Sequence, residues 1–299
     1  MSLRKWKLMH PNQLDIPLAT VRTLVTEQFP QWTDRPIRPV ATSGTVNAIF
    51  RIGPTLAARF PLEPGDPDAV AREFAAAREL LGRTRFPTPE PVAIGAPGHG
   101  YPLPWSVQTW LPGVPATDDD PAASVPFARD LAEFIGGVRA IDPRGRTFTG
   151  TGRGGTLRSH DAYVLSCIEK SETLLDAREL RRLWSRFRDL PPTRLPVMNH
   201  SDLIPGNVLV ADGRLAGVLD VGGLKAADPA LDLVAAWHLL DPGPRAVLRS
   251  GLGCDDPEWE RGKAWAFQQA IGLVWYYLDS NPTMSRMGRR TLERILADG

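Results

Sequence analysis

A chain of 299 residues, 42% apolar and 23% charged, has the size and balance of an ordinary globular protein and room for about two domains. Its formal net charge of +1 gives no electrostatic basis for binding nucleic acid or holding to an anionic membrane. Two distant cysteines, Cys167 and Cys254, make neither a disulfide framework nor a zinc-ligand spacing. With no apolar run of membrane-spanning length and no signal-peptide pattern at the N-terminus, the sequence reads as a soluble, cytoplasmic protein.

In chain order, residues 16–29 space Leu18, Val21, Leu24, Val25 and Phe29 along one helical face. Two strands are expected next, in ATSGTVNAIFRIG and GPTLAARFPL, joined at Gly53-Pro54. A helix follows over about 66–82, with Pro67 in its first turn and Val70, Phe74, Ala77 and Leu81 as its buried stripe. EPVAIGAPGHGYPLPWSVQTWLPG reads as short strands. Beyond Pro112 helices dominate, at 124–140, 160–188, 230–240, 257–278 and 284–297, interrupted by a hairpin in NVLVADGRLAGVLD with an Asp212-Gly213 turn. This predicts an α+β chain of two unequal lobes: a strand-rich 1–110 and a helix-rich 111–299.

If Asp212-Gly213 is a two-residue turn, Ala211 faces Arg214, Asn207 opposes Val218 and Asp220 arrives opposite Pro205. Asp202, Asn207 and Asp220 then share one end of the hairpin, beside the loop HSDLIPGN. An amide oxygen and a carboxylate together make a hard-oxygen site suited to Mg²⁺, which takes few protein ligands and leaves room for phosphates. A second carboxylate, Asp202, can accept the proton of a hydroxyl nucleophile. Metal ligands, a positioning base and little covalent chemistry by the protein are what phosphoryl transfer requires.

H-x-D-x-x-x-x-N followed at hairpin distance by an Asp resembles the catalytic and metal-binding loops of aminoglycoside phosphotransferases, relatives of the protein kinases. The likeness extends through SGTVNAIFRIG, LAARFPL, the helix bearing Arg72-Glu73, PWSVQTWLPG, HSDLIPGNVLV, GVLDVGGLKAADPALDL and NPTMSRMGRRTLERILAD. It implies a two-lobed, protein-kinase-like fold using ATP or GTP with Mg²⁺ on a small-molecule hydroxyl acceptor, either an aminoglycoside, another antibiotic or a cellular metabolite. Asp202 would orient and deprotonate that hydroxyl, His200 would brace the catalytic loop, and Asn207 and Asp220 would hold the metal. Ser43, Gly44 and Thr45 would cover phosphate, Arg59 paired with Glu73 would grip it, and Gln108 and Trp110 complete the nucleotide contacts.

The sequence departs from that pattern in places. Arg59 stands where a lysine is usual, and guanidinium differs from ammonium in geometry. Ser201 replaces a frequent glycine, and Val221 a frequent aromatic. The Arg59 substitution keeps open a nucleotide-binding protein with little catalysis. A hydrolase on His200, Asp202 and Asp220, or on Ser201, is disfavoured because neither G-x-S-x-G nor H-E-x-x-H occurs. GTGRGG at 150–155 has the spacing of a dinucleotide-binding turn without a strand before it, and is expected to be a flexible loop near the acceptor. Asp228 and Asp232 are expected to serve the fold. Asp255, Asp256, Glu258 and Asp279 are candidates to line a cleft for a cationic acceptor.

Overall fold

The computed structural model describes residues 13–41, 44, 46–192 and 195–298. Contacts divide the chain into a unit of Met1–Leu81 with Thr88–Pro112 and a unit of Gly82–Pro87 with Gly113–Gly299. The sequence suggested one break near 110; the short segment 82–87 departs from that scheme. Arg85 bonds to Asp130 and Glu133, Phe86 meets Phe134 edge-on, and the Pro87 carbonyl accepts from the Val218 N–H.

The first unit contains helix α1 (Leu18–Gln28), strands β1 (Ile37–Val40), β2 (Asn47–Ile52) and β3 (Leu56–Pro61), helix α2 (Ala69–Leu80), and strands β4 (Pro91–Gly95) and β5 (Trp105–Thr109). The strands form one antiparallel sheet in the order β1-β2-β3-β5-β4. Val21, Leu24 and Val25 of α1 pack with Phe50, Phe60, Trp105 and Val107 of the sheet. Phe60 stacks on Trp105 at 4.7 Å, and any side chain at Gly95 would collide with the Trp105 ring. β1 lies in a proline-rich stretch that did not read as strand. It is tolerated because β1 is an edge, where Pro39 need give no N–H to the ladder. Helix α2 stops at Leu80; Leu81 leaves helical backbone and is exposed, so the buried stripe is Val70, Ala77 and Leu80.

The second unit contains β6 (Val114–Pro115), α3 (Val125–Arg139), α4 (Asp161–Lys170), α5 (Ala177–Phe187), β7 (Val197–Asn199), β8 (Val208–Ala211), β9 (Arg214–Val218), β10 (Lys225–Ala227), α6 (Val234–Leu239), α7 (Pro242–Leu252), α8 (Asp256–Tyr276) and α9 (Pro282–Ala297). β6, β8 and β9 form one small sheet, and β7 pairs with β10 in another. The helix expected over 160–188 is two helices. Asp176 interrupts it by capping α5, accepting from the Arg178 and Glu179 N–H groups. Helix α7 escaped the sequence reading because it opens Pro-Gly-Pro; Pro242 fits its first turn, and Gly253 at φ 62° ends it. Helix α8 is buried on nearly all sides, with Trp265, Phe267, Ala270 and Ile271 fully enclosed.

Candidate active site

The chain leaves β7 at Asn199 and enters the loop His200–Asn207. Asp232, fully buried, organises that loop: its Oδ2 accepts the His200 N–H and its Oδ1 the Ser201 N–H, both at 2.7 Å. Burial pushes the Asp232 carboxyl above its usual range, against the opposing pull of His200 and these two N–H bonds. Ser201 adopts φ 75°, a left-handed backbone that favours glycine, and its hydroxyl donates to the Gly223 carbonyl at 3.0 Å. The His200 ring lies 2.9 Å through Nε2 from the Leu219 carbonyl, while Nδ1 faces the Asp202 N–H at 3.4 Å. Both contacts assign the ring proton to Nε2.

Asp202 comes next, its side chain 32% exposed and so within reach of a ligand. Oδ1 accepts from Arg153 Nη2 at 2.9 Å and from Gln269 Nε2 at 2.7 Å; Oδ2 accepts from Asn207 Nδ2 at 2.9 Å. A 3-10 turn over Pro205–Asn207 folds the loop back so that Asn207 Nδ2 also reaches the Asp202 carbonyl, at 3.0 Å. With its nitrogen committed there, the Asn207 amide turns its oxygen away from Asp202.

The hairpin differs from the simple register. Ala211 faces Arg214 and Val210 faces Leu215, but Leu209 faces Gly217 and Val208 faces Val218. A bulge at Ala216 absorbs one residue, so Asn207 meets Leu219 rather than Val218, and the Leu219 N–H donates to the Asn207 carbonyl at 2.7 Å. Leu219 is thereby gripped by His200 on its carbonyl and by Asn207 on its N–H. This fixes the next residue, Asp220, in left-handed backbone at φ 56°. Asn207, with an amide oxygen, and Asp220, with a carboxylate, thus sit at and next to one backbone bond, and both are hard donors. That donor set fits Mg²⁺, whose remaining positions would go to water and phosphate oxygens.

In the first unit, Arg59 sits mid-strand in β3 between Ile49 and Ser106, and its Nη2 lies 3.6 Å from Glu73 Oε2 on α2. The Arg59 side chain is 11% exposed and that of Glu73 41%, so the pair is enclosed at its cationic end and open to solvent at the other. Gln108 lies on β5 between Ala57 and Pro91. The Trp110 N–H donates to the Thr55 carbonyl, and its ring carries the Arg51 guanidinium at 4.6 Å. Gly44 is exposed; Ser43 and Thr45 lie outside the described residues.

Several residues at Asp202 escaped the sequence reading. Arg153 belongs to the GTGRGG segment, whose glycines obscured the arginine that reaches Asp202 and the Ser201 carbonyl. Gln269 stands 67 residues beyond Asp202 on a helix that reads as core, and no local spacing announces it. The acidic residues proposed for a cationic acceptor have other partners. Asp255 caps α8, Glu258 is buried against Arg139 at 2.9 Å, and Asp256 pairs with Arg249. Asp279 is exposed.

Known proteins share the sequence pattern and the fold of this chain. The aminoglycoside 3'-phosphotransferase of Escherichia coli is 32% identical over 81 residues, 26% of this chain and 30% of the length of that relative. The GDP complex of aminoglycoside 2'-phosphotransferase-IIIa superposes with a TM-score of 0.72 at 19% identity, covering 94% of this chain and 99% of that one. The macrolide 2'-phosphotransferase MphH of Brachybacterium faecium gives 0.62 at 18% identity, covering 92% and 97%. These likenesses establish the α+β, protein-kinase-like fold. The model of the phosphotransferase enzyme family matches residues 37–265, and the chain belongs to that family.

Proposed function

We propose that this protein is a small-molecule kinase that transfers the γ-phosphoryl group of ATP or GTP to a hydroxyl with the help of Mg²⁺. The observation that supports the reading is that Asp202 and Asn207 bond to each other on one loop braced from within by Asp232, with Asp220 following Leu219, which is bonded to both His200 and Asn207. The acceptor oxygen attacks the γ-phosphorus, the bond to the β-phosphate oxygen breaks, and the hydroxyl proton passes to the Asp202 carboxylate. Asn207 and Asp220 would hold the Mg²⁺, which neutralises charge on the phosphates. Arg59, steadied by Glu73, would grip phosphate through its fork of donors, Ser43, Gly44 and Thr45 would cover it, and Gln108 and Trp110 would complete the nucleotide contacts. His200 holds the loop and takes no part in proton transfer. A cytoplasmic location is part of this proposal, since that compartment supplies ATP and GTP; among the described residues no helix is long and apolar enough to cross a membrane.

Relatives described with kanamycin, gentamicin or streptomycin, and those named for macrolides, make antibiotics the first acceptors to try. A kinase of a cellular metabolite is the second reading, favoured by the cationic side chains around Asp202. The test is acceptor-dependent ADP or GDP release with Mg²⁺ across hydroxylated antibiotics and metabolites. Asp202→Asn is expected to lower kcat by about 10²–10⁴-fold while leaving nucleotide binding intact. Nucleotide binding with no release for any acceptor would instead support a protein that binds nucleotide without catalysis.

A further inference from the structure

Arg153 stands at Asp202 and Lys225 on the strand beside its loop, and the reaction above uses neither cation. Arg153, its side chain 24% exposed, places Nη2 2.9 Å from Asp202 Oδ1 and 3.2 Å from the Ser201 carbonyl. Lys225 opens β10 directly across from Asn199, the residue before the catalytic loop. It is half-buried, with its ammonium 5.5 Å from the centre of the Phe148 ring, and among the described residues it has no carboxylate or hydrogen-bond partner. Burial, with the charge of Arg153 added, holds the Lys225 ammonium below the usual lysine value, although Asp232 and Asp202 pull the other way.

This arrangement is costly as it stands. A half-buried ammonium gains little from one aromatic face and is repelled by the charge of Arg153, and the nearby carboxylates are already committed. Asp232 spends both oxygens on backbone N–H groups, and Asp202 is shared among Arg153, Gln269 and Asn207. Arginine offers five donors, and Nη2 alone makes the contacts to Asp202 and Ser201. Positive charge and donor capacity are therefore in surplus around the loop that carries Asp202, the group an acceptor hydroxyl would have to meet.

We propose that Arg153 and Lys225 form an anion subsite, and that the acceptor is a hydroxylated compound with a carboxylate or phosphate close to the hydroxyl that reacts. The inference rests on the kinase reading and narrows its substrate class. An acceptor anion takes the Arg153 fork and the Lys225 ammonium, and so draws Arg153 from Asp202 Oδ1 and leaves that oxygen to the incoming hydroxyl. A polyamine acceptor would press its ammonium groups against the same two cations.

The test uses the full chain and sugars matched in size: glucose, glucosamine, glucuronate and glucose 6-phosphate, with kanamycin as the polycation. Binding is measured calorimetrically in the presence of Mg-ADP, and nucleotide release is measured in parallel with Mg-ATP. At least one of the two anionic sugars is expected to bind about tenfold or more tightly than glucose. Which one does so separates a carboxylate from a phosphate site. Arg153→Gln and Lys225→Met, each checked for an unchanged circular-dichroism spectrum, are expected to remove that preference. A preference for glucosamine or kanamycin, no preference for either anion, or an anion preference that survives both substitutions would each overturn the proposal. Release bears on the kinase reading alone: anion-selective binding with no release from any acceptor sinks that reading and leaves the subsite standing.

Discussion

Asp232 touches no reacting atom, yet the geometry of Asp202 depends on it. Two consecutive N–H groups converge on one buried carboxylate, and an amide in its place would offer one acceptor and turn an N–H₂ towards the second donor. Asp232→Asn is expected to cost about 1.5–3 kcal/mol in chemical denaturation, the range for a bond from a buried N–H to a charged acceptor. It should also lower kcat more than it raises the nucleotide KM. An unchanged denaturation midpoint would show that the loop holds itself without the brace. At this scale the grouping of Asp202, Asn207 and Asp220 on one loop-and-hairpin segment could be read from the sequence, but the counted register was one residue off beyond the bulge at Ala216, which no residue type announces. Arg153, Gln269 and Lys225 could not be read there, since tertiary folding alone brings them towards Asp202.

Among the elements, the turn after β10 and helix α8 are joined by a buried ion pair. Asp228, 4% exposed, accepts from Arg261 Nε at 2.9 Å and from Trp265 Nε1 at 2.9 Å, and its other oxygen takes the Ala230 N–H at 3.0 Å. Arg261 is 2% exposed, so neither charge has water to turn to. Arg261→Met keeps the bulk and strands the carboxylate, and a loss of about 3–5 kcal/mol is expected in urea titration. A loss under ~1 kcal/mol would show that Asp228 is satisfied without its cation. The sequence assigned Asp228 to the fold. It makes a short-range contact to the Ala230 N–H, but the long-range partner decides its worth. Elements with clean periodicity, such as α1, α3 and α9, were legible. Those built on exceptions were not: β1 carries a proline at an edge, α7 opens on two, and Asp176 divides a continuous helical pattern.

At the scale of the whole molecule, the family match ends at residue 265 while the site draws on residues beyond it. Thr291 of α9 lies 2.9 Å from His238 Nδ1, His238 Nε2 lies 3.2 Å from Gln269 Oε1, and Gln269 Nε2 donates to Asp202. With the Gln269 nitrogen turned to Asp202, its oxygen faces His238, so His238 donates from Nε2, while the Thr291 hydroxyl at Nδ1 also has the Met287 carbonyl 2.9 Å away to donate to. Burial, chiefly, holds His238 down to about 4, and burial also lowers His160. The unfolded chain takes up a proton at His238 below about pH 6.5, whereas the folded chain resists it to about 4. The stability His238 confers is therefore complete above pH 6.5 and is lost as pH falls through 4, at most about 3 kcal/mol. Urea unfolding between pH 7 and 4 should show this decline, and His238→Gln should flatten it. An equal slope in the variant would assign the acid sensitivity elsewhere.

The bulge in the hairpin has a genetic consequence. Ala216 stands outside the ladder, with Leu215 facing Val210 before it and Gly217 facing Leu209 after it. An in-frame loss of its codon would close the bulge and leave Gly217, Val218 and Leu219 opposite their present partners, with Asp220 still beside Asn207. Loss of the Leu219 codon would instead advance Asp220 into the ladder and put Val221 in its place. Of these two deletions, each three nucleotides long and three residues apart, the first is expected to yield an enzyme with nucleotide-dependent activity and the second a folded protein without it.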